Sequence, residues 1–147
     1  MVDVGHKAPS RRRARARCAV RLSPEADELL RQGNLPKGSP LEVTRLAALQ
    51  AAKQTSQLIP LCHPLRLTSI QVEVLDRGHG VWWIEVTVEA EDRTGVEMEA
   101  MTGAAVGGLA LYDMVKAVDR SAALEQVVLL EKSGGKSGDY RRDGETS

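Results

Sequence analysis

The sequence predicts an α+β fold of the ferredoxin-like type, an antiparallel sheet with helices packed on one of its faces. Stretches of alternating apolar and polar residues indicate four strands, and longer stretches with helical periodicity lie between them. The resulting order is strand, helix in two pieces, strand, strand, helix, strand, which is the split β-α-β pattern. The 147 residues fit a single domain, residues 1–147, with no linker-like segment inside it.

The first half of the chain provides one strand and the two-piece helix. Residues 1–14 lack periodicity and are predicted to form a basic arm, and residues 14–22 alternate as a strand. A helix is predicted from Ser23-Pro24 to a stop near Gly33, since proline suits the first helical position. After a loop over residues 34–38, residues 39–42 match a capping box that opens a helix extending to Leu58.

The second half provides three strands and a long helix. A turn over residues 59–64 precedes a strand over 65–75, whose apolar face switches near Ser69 and so predicts a bulge there. Residues 76–80 form a predicted hairpin loop before the next strand, 81–90. The remaining elements are a helix over 97–118, a strand over 126–132 and a flexible tail over 139–147.

Three glycines interrupt the long helix, at positions 103, 107 and 108. Each costs about 1 kcal/mol relative to alanine in a helix. We therefore expect another backbone to lie in close contact with this part of the helix.

Composition excludes several classes of protein. The formal net charge is zero, so the whole chain has no general attraction to nucleic acid or to an anionic membrane. The two cysteines, Cys18 and Cys62, lack the spacing of a zinc site or a disulfide framework, which favours a reduced, cytoplasmic setting. Neither a secretory signal nor an apolar run of membrane-spanning length is present.

The first candidate site segment is Leu61-Cys62-His63-Pro64, in the turn before a strand. Prolines restrict its backbone, and loop residues on a rigid framework often carry function. The alternative interpretation is a structural histidine.

Two acidic residues, Glu97 and Glu99, flank Met98 where the long helix begins. If the segment is extended, both carboxylates point to the same side. The alternative is an ordinary acidic helix N-terminus, which the helix dipole favours.

Asp113 and Lys116 are three residues apart on the long helix and therefore share a face, among apolar neighbours. Such a pair is either a structural ion pair or a pair whose pKa values serve proton transfer.

The glycine-rich stretch over residues 132–138 contains Lys132 and Lys136. Its backbone N–H groups and two ammonium groups suit an anion. Leu130 stands where a Walker motif requires glycine, and no helix is predicted afterwards, which excludes a P-loop NTPase. The alternative is a flexible tail.

Together these segments predict a site with several cations, several carboxylates and one histidine. This set suits a phosphorylated, polar small molecule that undergoes proton transfers. No His/Cys spacing for a metal and no dinucleotide-binding motif is present, so neither a metal nor a cofactor is predicted.

These segments resemble the cyclic pyranopterin monophosphate synthase family, known as MoaC, at residues 1–4, 37–38, 59–64, 94–101, 112–117 and 132–140. The resemblance implies a ferredoxin-like lyase of molybdenum cofactor biosynthesis. Its substrate would be the cyclic dihydro-GTP made by a radical SAM GTP cyclase, and its products cyclic pyranopterin monophosphate and pyrophosphate. It also implies a homohexamer, a trimer of dimers, with the site at the dimer interface.

The resemblance also implies residue roles. Three positions match catalytic residues: Asp113, Lys116 and Lys132. Eight match substrate-binding positions, the last two near the phosphates: Leu61, Cys62, His63, Glu97, Met98, Glu99, Lys37 and Arg12. Lysines would offset charge on the leaving pyrophosphate, while a lysine of depressed pKa, or Asp113, would shuttle protons.

Two other classes compete with this hypothesis. A ferredoxin-like RNA-binding module would use the basic arm and tail, but the chain lacks the paired aromatic residues of such modules and has no phenylalanine. A purely structural subunit is the second alternative, and the presence of His63, Asp113, Lys116 and Lys132 argues against it.

Overall fold

The computed structural model describes residues 1–33 and 35–144, so Asn34 of the predicted loop and residues 145–147 of the predicted tail lie outside it. Within these ranges, five strands and four helices follow one another: β1 (Ser10–Arg21), α1 (Pro24–Gln32), α2 (Pro40–Lys53), α3 (Thr55–Leu58), β2 (Leu67–Asp76), β3 (Val81–Asp92), α4 (Glu97–Val115), β4 (Ala123–Ser133) and β5 (Tyr140–Arg141).

The strands form one antiparallel sheet in the order β2-β3-β1-β4-β5. Helix α4 packs against β1, β3 and β4, and α2 packs against α4 and β2. The first four strands have the ferredoxin-like arrangement, which confirms the predicted fold class. In the part of the chain that the structure describes, no helix is both long and apolar enough to cross a membrane.

Strand β1 shows why the helices cover only one face of the sheet. Its small apolar residues, Ala14, Ala16, Cys18 and Val20, are fully buried in the hydrophobic core. Their neighbours along the strand point to the other face, because side chains alternate along a strand. This second face is charged.

Arginines of β1 bind carboxylates of the neighbouring strands on this face. Arg17 lies 2.7 Å from Glu85 and stacks 3.4 Å above the centre of the Trp83 ring, and Arg13 lies 2.6 Å from Glu131. Hydrogen bonds from Arg13 and then from Arg141 lower the pKa of Glu131 to about 2, although partial burial opposes this shift. The charged side chains thus cover one another where no helix covers them.

The N-terminal arm is shorter than predicted, because β1 begins at Ser10. Arg11 and Arg13 lie within the strand and both reach Glu89 of β3, at 3.2 and 4.0 Å. Opposite charges on adjacent strands stabilise pairing, so this strand end forms without an apolar face. The tail is also more ordered than predicted, since Tyr140 pairs with Lys132 to form β5.

Most local signals of the sequence are confirmed. The Ser23 hydroxyl accepts from the backbone N–H of Ala26 at the start of α1, and Gly33 ends that helix with a left-handed φ of 72°. The predicted bulge is present as a register shift between Leu67 and Ser69. The hydrogen bond of the predicted capping box is absent, since Ser39 makes no side-chain cap at the start of α2.

Two helices end earlier than predicted. Helix α2 stops at Lys53, and the single-turn α3 follows after Gln54. Helix α4 stops at Val115, with Lys116 as its C-cap.

The three glycines of α4 lie in close contact with α2 and the sheet, and the predicted contact with another backbone is present at Gly103, whereas Gly107 and Gly108 meet side chains. A Cβ on Gly103 would lie 3.0 Å from the backbone oxygen of Ala48. A Cβ on Gly108 would lie only 2.5 Å from Sγ of Cys18. Glycine therefore lets α4 approach its neighbours more closely than any other residue would.

We predict that Gly108→Ala destabilises the fold even though alanine favours helix. The added methyl group overlaps Cys18, and overpacking outweighs the gain in helix propensity, giving a net loss of about 1–2 kcal/mol. Urea unfolding measures the change. In a Cys18→Ala background the penalty should shrink, because the sulfur is gone, so additive effects of the two substitutions would contradict this packing.

Candidate active site

A cavity of about 320 Å³ opens where α4 begins. Its lining includes six of the predicted site residues: Leu61, Cys62, His63, Glu97, Met98 and Glu99. They come from two separate parts of the chain, the turn after α3 and the first turn of α4. The structure thus brings together two segments that lie far apart in the sequence.

Local structure fixes both segments. A backbone hydrogen bond of 3.1 Å from the N–H of Cys62 to the oxygen of Ile59 closes the turn that directly precedes the histidine. Helix α4 starts directly after the fully buried Val96, which anchors its first turn in the core. The glutamates therefore lie at the positive end of the helix dipole.

The two glutamates do not point to the same side, contrary to the prediction for an extended segment. Both lie in the first turn of α4, where residues two apart face different directions. Glu97 is half-buried and its carboxylate lies against Gly95, whereas Glu99 is only 4% exposed. The helix places the two carboxylates in different environments.

Burial raises the pKa of two side chains in this cavity, Glu99 and Cys62. Desolvation, and then the negative charge of Glu97, raise the pKa of Glu99 to about 7. Burial, and then the charge of Glu99, also raises the pKa of the Cys62 thiol. Glu99 can therefore exchange a proton near neutral pH, whereas the Cys62 thiol stays protonated there.

A second cluster lies at the opposite end of α4, where the exposed carboxylate of Asp113 binds two ammonium groups. Lys37 lies 2.9 Å from Oδ2 and Lys116 lies 2.8 Å from Oδ1. Hydrogen bonds from Lys116 and Lys37 lower the pKa of Asp113 to about 2. The hydrogen bond between Lys116 and Asp113 also raises the pKa of Lys116. This direction contradicts the expectation of a proton-shuttling lysine of depressed pKa at this position.

Helix α4 keeps the two clusters apart. Glu97 and Asp113 lie near its opposite ends, and a rise of 1.5 Å per residue separates them by about 24 Å along the axis. A single chain therefore does not bring Asp113, Lys116 and Lys37 to the cavity that contains Glu99.

Lys132 and Arg12 lie near the cavity at the start of α4. Lys132 is the penultimate residue of β4. It donates a 2.8 Å hydrogen bond to Oγ of Ser137 and shares an open depression of about 450 Å³ with Glu97. Arg12 lines a neighbouring cavity of about 540 Å³. Lys7 lines both this cavity and the one at the start of α4, which makes the two adjacent.

Two cations of these cavities received no individual role from the sequence. Lys7 belongs to the basic N-terminal residues, and Lys136 to the glycine-rich stretch, which connects β4 to β5 rather than to a helix. Their positions beside Arg12 emerge only when the two chain ends fold together. Within residues 1–33 and 35–144, no group of three or more His, Cys, Asp or Glu side chains is arranged to hold a metal ion.

We predict that Glu99→Gln makes the protein less sensitive to pH. The folded-state pKa of Glu99 lies above its ordinary value, so the native protein holds this proton longer and loses stability as pH rises from about 4.5 to about 7. In urea unfolding, the stability of the variant relative to the wild type should rise between about pH 4.5 and about pH 7 and stay constant above that range. Glu73→Gln, which removes an exposed carboxylate from β2, is the control, and an equal gain there would contradict the assignment.

Comparisons with known proteins cover nearly the whole chain. The model of the MoaC family matches residues 1–135. The chain is 51% identical over 144 residues to a cyclic pyranopterin monophosphate synthase of Pelobacter propionicus, covering 97% of this chain and 90% of that protein. It is 49% identical over 144 residues to a protein of the same name from Thermomicrobium roseum, covering 97% of this chain and 87% of that protein. The chain belongs to the MoaC family.

Proposed function

We propose that this protein is a cyclic pyranopterin monophosphate synthase of molybdenum cofactor biosynthesis. This lyase converts a cyclic dihydro-GTP into cyclic pyranopterin monophosphate and releases pyrophosphate. The cavity at the start of α4 carries the proposal, because it gathers six matched residues in a chain 51% and 49% identical to two proteins of that name.

The cavity at the start of α4 suits the ring of the substrate. Rebuilding a purine-derived ring into a pterin requires protons to leave some atoms and arrive at others. A carboxyl whose pKa lies near the working pH is the best donor and acceptor for such transfers. Glu99, with a pKa of about 7, fits this role, and Cys62 and His63 line the same cavity as polar contacts.

The adjacent cavity suits the phosphates. Lys7, Arg12 and Lys136 line it, and Lys132 lies nearby at the end of β4. Positive groups that are already in place stabilise charge as it develops on the leaving pyrophosphate. Because Lys7 lines both cavities, a ring in one and a triphosphate in the other is a consistent arrangement.

The cluster of Asp113, Lys116 and Lys37 completes the site from a neighbouring subunit in this proposal. Helix α4 separates that cluster from the cavity of its own chain by about 24 Å. A two-fold dimer would supply each cavity with the cluster of the other chain, and would form two such sites. We propose a homohexamer, a trimer of such dimers, with the site at the dimer interface.

Asp113 holds the two lysines in place within this shared site. Its carboxylate stays ionised at neutral pH because its pKa is lowered to about 2. The raised pKa of Lys116 keeps that ammonium charged. The cluster therefore presents fixed charges, while proton exchange falls to Glu99. A radical SAM GTP cyclase would supply the substrate, and both enzymes would work in the cytoplasm.

We predict that Asp113→Asn and Lys132→Ala each lower turnover by about a hundredfold or more, since each removes a charge that the transition state requires. The assay incubates each protein with the cyclic dihydro-GTP and measures pyrophosphate and cyclic pyranopterin monophosphate. Circular dichroism and light scattering check that fold and oligomer are unchanged. Near-normal product formation by either folded variant would overturn the assigned roles, and no product from the wild type would overturn the proposed function.

We predict that the two inactive variants restore activity when they are co-expressed. If Asp113 and Lys132 of one site come from different chains, a mixed dimer contains one intact site and one doubly altered site. Random mixing then returns about a quarter of the wild-type activity. Separately purified variants, combined after folding under conditions that prevent subunit exchange, are the control. Absence of recovery in co-expressed mixed hexamers would contradict the shared site.

A further inference from the structure

The loop between β4 and β5 contains three glycines of left-handed conformation whose surroundings differ. Gly134, Gly135 and Gly138 have φ values of 94°, 82° and 77°. A Cβ on Gly134 would overlap the backbone oxygen of Arg11, and one on Gly135 would overlap Nη1 of Arg12. A Cβ on Gly138 would meet nothing within 4 Å. Although all three share a left-handed backbone, an added side chain would meet backbone at the first, a side chain at the second and open space at the third.

The Arg12 side chain is confined although it comes from a strand end. It is only 9% exposed, its Nε lies 3.4 Å from the backbone oxygen of Asp92, and Nη1 lies against Gly135. Arg12 also lines the cavity of about 540 Å³ that contains Lys7 and Lys136. Two backbone segments therefore hold the guanidinium at the wall of a cationic cavity.

The same cavity contains a polar group that lacks a partner within the described ranges. Oγ of Ser10 is buried and makes no hydrogen bond there. A buried hydroxyl is normally hydrogen-bonded. Three cations around this hydroxyl match an anion with several acceptor oxygens.

We propose that Gly135 is a positioning residue for Arg12. Its missing side chain leaves the space in which the guanidinium lies, and so directs Arg12 into the cavity beside Lys7 and Lys136. This inference deepens the proposed function and rests on it, because the bound anion is the polyphosphate of the substrate. A guanidinium binds phosphate through paired N–H groups in a fixed plane, so its orientation determines the strength of binding.

Comparing the three glycines distinguishes a positioning role of Gly135 from the need for glycine in the turn itself. A methyl group on Gly134 meets backbone, which moves only if the fold gives way. A methyl group on Gly135 meets the end of a flexible side chain, which can rotate away while the fold persists. A methyl group on Gly138 adds similar backbone strain in the same loop without touching Arg12.

The test compares Gly135→Ala with Gly138→Ala. Thermal unfolding should show similar losses of stability, because both residues adopt a left-handed φ. Gly135→Ala should raise KM for the cyclic dihydro-GTP by about tenfold to a hundredfold with a smaller effect on kcat, as expected when a hydrogen-bonded charge contact is lost. Gly138→Ala should leave KM within about twofold of the wild type. Equal changes in KM would overturn the positioning role.

A second measurement removes Arg12 itself. In an Arg12→Ala background, Gly135→Ala should cause no further loss of affinity for inorganic pyrophosphate, measured by calorimetry, because the group that it displaces is gone. An equal further loss would overturn the inference. If Gly135→Ala weakens pyrophosphate binding but the wild-type protein shows no turnover, the positioning role is supported and the proposed function is overturned. Normal turnover together with equal effects of the two glycine variants would overturn the positioning role alone.

Discussion

The close packing of α4 is the constraint on which the arrangement of the site depends. Gly107 and Gly108 seat the helix directly against α2 and the sheet, where a Cβ on Gly107 would lie 2.9 Å from Ile84. Packed in this way, α4 continues unbroken through 19 residues, and its rise per residue keeps the groups at its two ends about 24 Å apart. A site that uses both Glu99 and Asp113 therefore needs two chains. The long helix that packs so closely within the monomer thus leaves that monomer incomplete under the proposed function.

Most of the fold could be predicted because its signals are local. Alternation in β1 and β3, the serine cap and glycine stop of α1, and the bulge in β2 each depend on residues a few positions apart. The start of β1 was missed because Arg11 and Arg13 show no apolar pattern, and the strand is stabilised there by carboxylates of β3 and β4. Such cross-strand pairs join residues distant in sequence, so no local pattern reveals them.

The identities of the candidate site residues could be predicted better than their geometry. The family resemblance selected Glu97 and Glu99 together, but their environments depend on where α4 begins, which buries one carboxylate and leaves the other half-buried. The lowered pKa of Asp113 depends on Lys37, which arrives from a loop before α2. Lys7 and Lys136 become neighbours only because the N-terminal residues and the loop after β4 meet. These properties arise from contacts between distant segments.

The carboxyl groups at the two ends of α4 have different ionisation states, and this difference assigns them different roles in the proposed reaction. Asp113 lies between two ammonium groups in an exposed position, which holds its pKa at about 2, whereas Glu99 is desolvated beside another carboxylate, which raises its pKa to about 7. When their environments give two carboxyl groups such different pKa values, one group is suited to hold a fixed charge and the other to transfer a proton. A dimer that covers the cavity would exclude more water from Glu99, and further desolvation favours its neutral form. Assembly would then both deliver the charged cluster and prepare the proton donor, so the subunit interface itself would take part in the chemistry.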